Sequence, residues 1–352
     1  MWLTYVLYVF VFLILILLTS IANKKRSLFV FLQGAVILAL LAGFRDKSVG
    51  IDSESYVNIF NLISSNRWGL IYGLENTFIS ICAFLLKLNN SYTFLFVVFA
   101  FITNILFFYR FWDFKEDVSL CVVVAIYYIS FYFLSYNIMR QMIAVSIVFY
   151  FSRFIRKRHY FIFIVGVLLA CLFHKSAILA IILLLLEVPQ WNRLNKSQKI
   201  ILILTFLFSP LIIPYVIEAY NKYSHYFNDI NWNIGFMTII KIVLFLYTSF
   251  IVKKKIAIES NDRGAVKSEM YTFSSICNYY FIGLIFSSFG YVFNFMDRLG
   301  LYFVCYETIY MGYICRRLKR APVQIYLLLF TYIFVVGLIS GGQGQNPYIF
   351  IW

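Results

Sequence analysis

Charged side chains make up only 13% of this 352-residue chain, whereas soluble globular proteins carry about 25%. Among the charged residues the acidic ones are the less frequent, with 15 Asp and Glu against 30 Lys and Arg. Hydrophobic residues, by contrast, reach 62% and aromatic residues 21%. So little charge cannot cover a water-facing surface, which excludes a soluble enzyme, a disordered regulator and a secreted disulfide scaffold. The composition predicts an all-α polytopic membrane protein.

Several signatures of known chemistry are also missing. The chain has no Walker A sequence, no Gly-x-Ser-x-Gly elbow, no His-Glu-x-x-His and no dinucleotide fingerprint. Its six cysteines are scattered singly, which argues against a disulfide framework or a zinc site. No RNA-binding fingerprint accompanies the net charge of +15. We therefore expect no nucleic-acid partner, no cofactor and no metal requirement.

Apolar runs long enough to cross a bilayer recur along the chain, since a helical span needs roughly 20 residues. The stretch 160–188 is interrupted at Phe173-His174-Lys175-Ser176 and predicts a hairpin of two short helices. A weaker segment, 75–88, either crosses the membrane or forms a re-entrant helix in the outer loop 45–91. The clear candidate spans are 2–22, 28–44, 92–110, 118–135, 138–155, 199–218, 236–252, 270–290, 300–315 and 322–340.

The basic clusters between these runs set the orientation, because cytoplasmic loops carry an excess of Lys and Arg. If 75–88 does not cross the membrane, most of the 30 basic residues fall on one side. This arrangement predicts twelve spans in a single integral membrane domain, 1–352, with both termini outside. The outer loops are then 45–91, 219–235 and 291–299.

The longest outer loop, 45–91, is polar at its start and rich in aromatic residues further on, which predicts a folded cap. Gly50 suits a turn, and Asp52 suits the start of a helix whose first turn carries Glu54. Arg45 and Lys47 either extend to the membrane surface from the end of a span or belong to a site.

Polar residues inside apolar runs are the stronger functional signal, because a charge at the bilayer centre is costly. Asn137, Arg140 and Gln141 are spaced to share one face of a helix, as a structural hydrogen-bond cluster or as a site. His174 lies at the interruption of the 160–188 hairpin, where a packing role is the alternative.

The predicted topology brings four cationic or potentially cationic residues to the outer face. Besides Arg140 and His174, these are Arg45 and Arg298, although Arg298 could instead pair with Asp297 beside it. Four such groups suit a diphosphate, which Arg binds through its planar fork.

These stretches resemble, in order along the chain, the EpsG/Wzy group of bacterial polysaccharide polymerases. The resemblance runs from about residue 40 to the C-terminus, and one departure is Ile51, where the family often has Thr. The stretch at 170–177 resembles the family's A-x-x-F-H-x-S-A hairpin and is the most specific piece. The others are Gly43-Phe44-Arg45 through Val49-Gly50-Ile51-Asp52 to Tyr56, Asn137 to Ala144 with its Arg140-Gln141, and Asp297-Arg298 with Tyr302-Phe303.

The resemblance implies a glycosyltransferase with a GT-C-like bundle at the outer face of the bacterial inner membrane. It would join repeat units on undecaprenyl diphosphate into O-antigen, capsule or exopolysaccharide. A chain-length regulator and a flippase are further candidate partners. Arg45, Arg140 and Arg298 are then the expected diphosphate-binding residues. His174 is the candidate general base, or a hydrogen-bond donor to the diphosphate, and Asp52 is a second candidate base. The supporting residues expected at the site are Tyr56, Asn137, Gln141, Ser176, Asp297 and Tyr302.

Three other functions remain open at the level of sequence. A lipid-linked oligosaccharide flippase shares the span number and substrates, but should carry charge along a path that reaches both faces. A membrane acyltransferase should have its catalytic histidine on the cytoplasmic side. An O-antigen ligase is chemically close and differs in using lipid A core as acceptor.

Overall fold

The computed structural model describes residues 2–187, 236–259, 263–290, 294–318, 344–345 and 347–350. The expected spans 199–218 and 322–340 and the outer loop 219–235 lie outside the described residues. The part of the chain that is described is helical, apart from one isolated bridge between Arg45 and Phe350. The chain divides into two compact units, Met1–Ile178 with Met311–Trp352, and Leu179–Tyr310. This division does not test the expectation of a single membrane domain.

The first unit is built from nine α-helices and the C-terminal half of a later one, among the described residues. After α6 the chain stays helical as a π-helix, Tyr128–Tyr132, and a 3₁₀ helix, Phe133–Tyr136. The helices are α1 (Trp2–Lys25), α2 (Leu28–Gly43), α3 (Ser53–Ser64), α4 (Asn76–Leu88), α5 (Tyr92–Trp112), α6 (Leu120–Tyr127), α7 (Met139–Phe151), α8 (Arg153–Arg156) and α9 (Tyr160–Cys171).

The second unit contains the longest helix described. A 3₁₀ helix, Lys175–Ile181, leads from the first unit into the second. The helices that follow are α10 (Ile182–Leu186), α11 (Phe236–Glu259), α12 (Arg263–Gly290), α13 (Asn294–Val304) and α14 (Glu307–Arg317), the last of which continues into the first unit.

Two of the described helices, α1 and α5, are long and apolar enough to cross a membrane by length and composition. At 1.5 Å per residue they are roughly 36 and 32 Å long, and a bilayer core is about 30 Å thick. The shorter apolar helices are Leu28–Gly43, Asn76–Leu88, Leu120–Tyr136, Tyr160–Cys171 and Lys175–Leu186. The number of twelve spans therefore stays a prediction.

Several segment boundaries expected from hydropathy are wrong. The run 138–155 is divided after Phe151 into α7 and α8. The expected span 300–315 is divided between α13 and α14, and α13 begins inside the expected loop 291–299. Hydropathy misses these divisions because it records which residues avoid water and not where the backbone turns.

Contacts within the first unit define two opposite ends. At one end Tyr8 donates a hydrogen bond to the Gln345 carbonyl at 2.6 Å, and the Asp46 amide donates to the Ile349 carbonyl at 2.8 Å. At the other end Arg110 and Arg153 both bind Asp113, at 3.0 and 2.7 Å. We call these the loop end and the basic end.

Both ends of α4 lie at the loop end. Its start contacts the segment after α9, where Thr77 Oγ1 donates to the Leu172 carbonyl at 2.6 Å. Shortly after it ends, Phe96 near the start of α5 packs on Phe60 and beneath the Arg45 guanidinium. The 13 residues of α4 span roughly 20 Å. Because the contacts near both of its ends are at the loop end, α4 does not connect the loop end with the basic end.

Candidate functional site

Glu75 occupies the N-cap position of α4, with an extended backbone and a carbonyl that accepts from the Ile79 amide at 3.1 Å. Ser, Thr, Asp and Asn are preferred there because their short side chains bond to the first free amides of the helix. The Glu75 side chain makes no such capping bond. Its carboxylate is therefore available for other elements, although the residue is only 8% exposed.

Two other elements bring their polar groups to this carboxylate. Arg140, in the first turn of α7, donates from Nη1 to Glu75 Oε2. The amide of Lys175 donates to Glu75 Oε1 at 3.2 Å, and His174 Nδ1 lies 3.6 Å from the same oxygen. Arg140 and His174, which the sequence predicts for one site, therefore meet on Glu75. We call these three residues the Glu75 cluster.

The carboxyl group of Glu75 is held in its ionised form. Burial opposes ionisation, but the interaction with His174 and the charge of Arg140 outweigh it and lower the pKa of Glu75 from 4.5 to about 2. The cluster therefore contains a fixed negative charge at neutral pH, which compensates the charge of Arg140.

Aromatic side chains surround the Arg140 guanidinium. Its Cζ lies 5.7 Å from the centre of the Phe78 ring, which comes from the first turn of α4. Burial raises the pKa of Tyr56 on α3, and the nearby charge of Arg140 partly opposes this shift. Tyr56 is thus beside Arg140, as expected for a supporting residue, although its function stays a prediction.

Arg45 lies at the loop end but is almost completely buried, with 1% exposure. Its Nε donates to the Val49 carbonyl and to Ser53 Oγ, both at 3.2 Å, and Nη1 donates to the Ala42 carbonyl. Nη2 donates to the Tyr136 carbonyl at 3.4 Å. Arg45 therefore connects the loop before α3 with the bend before α7 through hydrogen bonds. Its expected contact with a diphosphate stays a prediction.

The loop between Arg45 and α3 turns at Gly50, as the sequence predicts, with φ of +101°. Asp52 stands at the start of α3, also as expected, but its side chain makes no capping bond. The Asp52 amide donates to Asn137 Oδ1 at 3.4 Å, which gives the loop a second contact with the bend before α7.

The expected helix face of Asn137, Arg140 and Gln141 does not form. Asn137 lies in the bend that precedes α7, so only the other two residues are on the helix. Asn137 is held there because its amide donates to the Leu134 carbonyl of the preceding 3₁₀ turn. Gln141 is buried in α7, and Ser176 follows the His174 break in the 3₁₀ helix.

The remaining expected site residues belong to the second unit. Asp297 and Arg298 are exposed in the first half of α13, and Tyr302 is fully buried in its second half. Their participation in one site with Arg140 stays a prediction.

The second unit has a buried polar group of its own. Glu307, 1% exposed at the start of α14, pairs with Lys241 Nζ at 3.1 Å and accepts from Tyr280 Oη at 2.5 Å. This cluster joins α11, α12 and α14 by charge and hydrogen bonding.

Sequence reasoning missed Glu75 as a site residue. The signal that could have found it is the scarcity of acidic residues, because a carboxylate close to an apolar run is the natural counter-charge for a buried arginine such as Arg140. In the described ranges, no group of three or more His, Cys, Asp or Glu residues could hold a metal ion. The expected independence of metal stays a prediction.

Together these features describe a helical membrane protein with a buried ionic cluster at one end of its first unit. The chain belongs to the EpsG family, whose model matches residues 28–350. This is a family of membrane proteins, and membership supports a polysaccharide polymerase-like role. No curated protein and no solved structure matches the chain.

Proposed function

We propose that the protein is a polysaccharide polymerase that joins lipid-diphosphate-linked repeat units at the outer face of the bacterial inner membrane. The observation that supports this most is the meeting of Arg140 and His174 on Glu75, in a chain that the EpsG family model matches over 28–350. Both residues lie in the motifs by which the sequence resembles these polymerases. The proposed donor and acceptor are undecaprenyl-diphosphate-linked oligosaccharides.

The reaction transfers the growing chain from its diphosphate to a sugar hydroxyl of the next unit. The acceptor oxygen forms a bond to the anomeric carbon, and the bond from that carbon to the diphosphate oxygen breaks. The leaving diphosphate takes the bonding electrons, and the acceptor proton passes to the base. No oxidant, reductant or nucleotide is required for this balance.

Within this proposal Arg140 stabilises the negative charge that develops on the leaving diphosphate, as fixed cations do in other transferases. The Nη1 atom of Arg140 is bound to Glu75, and Nε is buried without a hydrogen-bond partner among the described residues. Its side chain is 17% exposed, which leaves part of the guanidinium accessible. Arg298 is proposed as a second cation and His174 as the general base. Arg45 is proposed to hold the surrounding loop in place.

The test is a reconstitution assay. Repeat units on undecaprenyl diphosphate are isolated from a strain that lacks this gene and given to the purified chain in nanodiscs, with EDTA and without nucleotide. We expect a ladder of longer glycans on lipid diphosphate. If the correct substrate is present and no ladder forms, the proposal fails.

Two variants connect the activity with the Glu75 cluster. Arg140→Ala and His174→Ala should each lower the rate at least about 100-fold, as losses of charge stabilisation and general base do. Matched controls are Arg153→Ala and His159→Ala. Arg153 pairs with Asp113 at the basic end, and His159 is an exposed histidine. Normal chain lengths from both cluster variants would show that the site is elsewhere.

The same assay separates the two closest alternatives. A flippase should move lipid-linked repeat units across proteoliposomes and leave their length unchanged. A ligase should produce no ladder until lipid A core is added as acceptor. Either outcome would replace the polymerase proposal.

A further inference from the structure

The Glu75 carboxylate contacts both the proposed cation, Arg140, and the proposed base, His174. It accepts from Arg140 through one oxygen and from the Lys175 amide through the other. The second oxygen also faces His174 Nδ1 at 3.6 Å. Catalytic hydrogen bonds are often long in the absence of substrate and shorten in the complex. The Glu75 carboxylate is therefore placed to act on the imidazole of His174.

The two nitrogens of His174 lie in different surroundings. Nδ1 is buried on the Glu75 side and has no hydrogen-bond partner within 3.5 Å among the described residues, whereas the side chain as a whole is 28% exposed. The exposed part of the ring therefore lies away from Nδ1, where Nε2 is. A neutral imidazole carries its proton on one nitrogen and accepts on the other, and a neighbouring acceptor selects which.

We propose that Glu75 is a positioning residue that keeps the proton of neutral His174 on Nδ1, so that Nε2 is free to accept the proton of the acceptor hydroxyl. This inference rests on the proposed function for the identity of the hydroxyl, but not for the tautomer itself. Glu75 acts through His174 and does not touch the reacting atoms. The same carboxylate holds Arg140, so a single residue sets the orientation of both the base and the cation.

Glu75 itself is a poor base in this arrangement. Its pKa of about 2 makes proton uptake at neutral pH unfavourable, and both of its oxygens are already occupied. The carboxylate is acceptor-only when ionised. The carboxylate can therefore accept a hydrogen bond from a protonated Nδ1 of His174, but it cannot donate a hydrogen bond to an unprotonated Nδ1.

Glu75→Gln is the informative substitution because it keeps the shape and replaces one oxygen by a donor. The remaining oxygen should stay with the Arg140 cation, which places the amide nitrogen opposite His174 Nδ1. The amide would then donate to Nδ1 and move the histidine proton to Nε2. The base nitrogen would face Glu75 and not the acceptor.

The tautomer can be measured without any activity. The chain has three histidines, so ¹⁵N-histidine labelling with His174→Ala for assignment identifies the His174 ring signals. At pH 8 we expect the Nδ1–H form in the wild-type protein and the Nε2–H form in Glu75→Gln. Glu54→Gln, an exposed glutamate paired with Lys47, is the matched control and should leave the ring signals unchanged. An Nε2–H form in the wild-type protein overturns the proposal.

Kinetics in the reconstituted assay give the second measurement. Glu75→Gln should lower kcat at least about tenfold while KM changes little, as for other partners that orient an active group. Glu75→Asp, which keeps the charge, should recover part of the loss. Combined with His174→Ala, Glu75→Gln should cause a smaller further loss than it does alone, because the part of its effect that acts through His174 is gone.

The outcomes separate this inference from the proposed function. If the wild-type protein forms no ladder, the polymerase proposal fails while the tautomer measurement still decides the position of the proton. If Glu75→Gln loses activity but keeps the wild-type tautomer, or loses as much in the His174→Ala background, Glu75 does not act through His174. Either result overturns the inference.

Discussion

The Arg45 guanidinium lies 4.5 Å from the centre of the Tyr136 ring and donates a hydrogen bond to the Tyr136 carbonyl at 3.4 Å. The two residues are 91 positions apart in sequence. Tyr136 ends the helical segment that begins with α6, and Arg140 follows four residues later in α7. The position of Arg140 therefore depends on contacts made by Arg45, which lies in the loop between α2 and α3.

The first prediction concerns Arg45→Lys. The lysine keeps the charge but cannot bind the Val49, Ala42 and Tyr136 carbonyls together. We expect a loss of about 2–3 kcal/mol in stability, because hydrogen bonds to charged groups are worth about 1.5–3 kcal/mol each. Thermal unfolding in detergent measures it. Lys47→Ala is the control, since its pair with Glu54 is exposed and worth about 0–1 kcal/mol.

A diphosphate-binding function for Arg45 gives a different result. Arg45→Lys would then raise the KM for the lipid-linked donor while the unfolding temperature stays at the wild-type value. That outcome would contradict the fastening role described here.

The second prediction concerns Gly50→Ala. With φ of +101°, an L-residue is strained, and a Cβ atom would lie 2.6 Å from Ser53 Oγ and 3.2 Å from Asn137 Oδ1. We expect a loss of about 1–3 kcal/mol in stability. Gly69→Ala is the matched control, because its added Cβ has no atom within 4 Å in the part of the chain that the structure describes, its immediate chain neighbours aside. Equal unfolding temperatures for the two variants would contradict the geometry of the loop.

The third prediction concerns the segment near the C-terminus. Tyr348 donates from Oη to the Leu41 carbonyl at 2.5 Å, and its amide donates to Thr4 Oγ1 at 3.0 Å. Tyr348→Phe leaves the Leu41 carbonyl without this donor, so we expect a loss of about 1–2 kcal/mol. Tyr72→Phe, at an 83% exposed tyrosine, should change nothing.

Deletion of residues 344–352 extends the same test. It removes the partners of the Asp46 and Gly50 amides, which donate to the Ile349 and Gly344 carbonyls at 2.8 and 2.7 Å. We expect a lower unfolding temperature than for Tyr348→Phe, and easier proteolysis of the loop between Arg45 and α3. A deletion with wild-type stability and wild-type resistance to protease would show that the segment does not support the loop.

The fourth prediction concerns the buried pair in the second unit. Lys241→Met leaves the Glu307 carboxylate with Tyr280 but without its cation. Breaking a buried pair costs about 3–5 kcal/mol, whereas replacing both partners is often nearly neutral. The double variant Lys241→Met/Glu307→Gln should therefore be more stable than Lys241→Met alone. A double variant less stable than either single variant would contradict this reading of the pair.

Much of the helical pattern follows from local composition. The apolar runs predict α1, α2 and α5 to within three residues at each end, and the interruption at Phe173–Ser176 coincides with the end of α9. These features depend only on which residues avoid water along a short stretch. The divisions within 138–155 and 300–315 are missed, because a turn inside an apolar run leaves hydropathy unchanged.

Arg140 and His174 stand out in the sequence because polar residues are rare in apolar runs, so local context is enough to select them. Glu75 does not stand out, since it lies in a polar loop and its partners are 65 and 100 residues away. The burial of Arg45 is likewise decided by Tyr136, Phe96 and the segment near the C-terminus. Ion pairs and burial join residues that are distant in the chain, so only the packing of the helices could decide them.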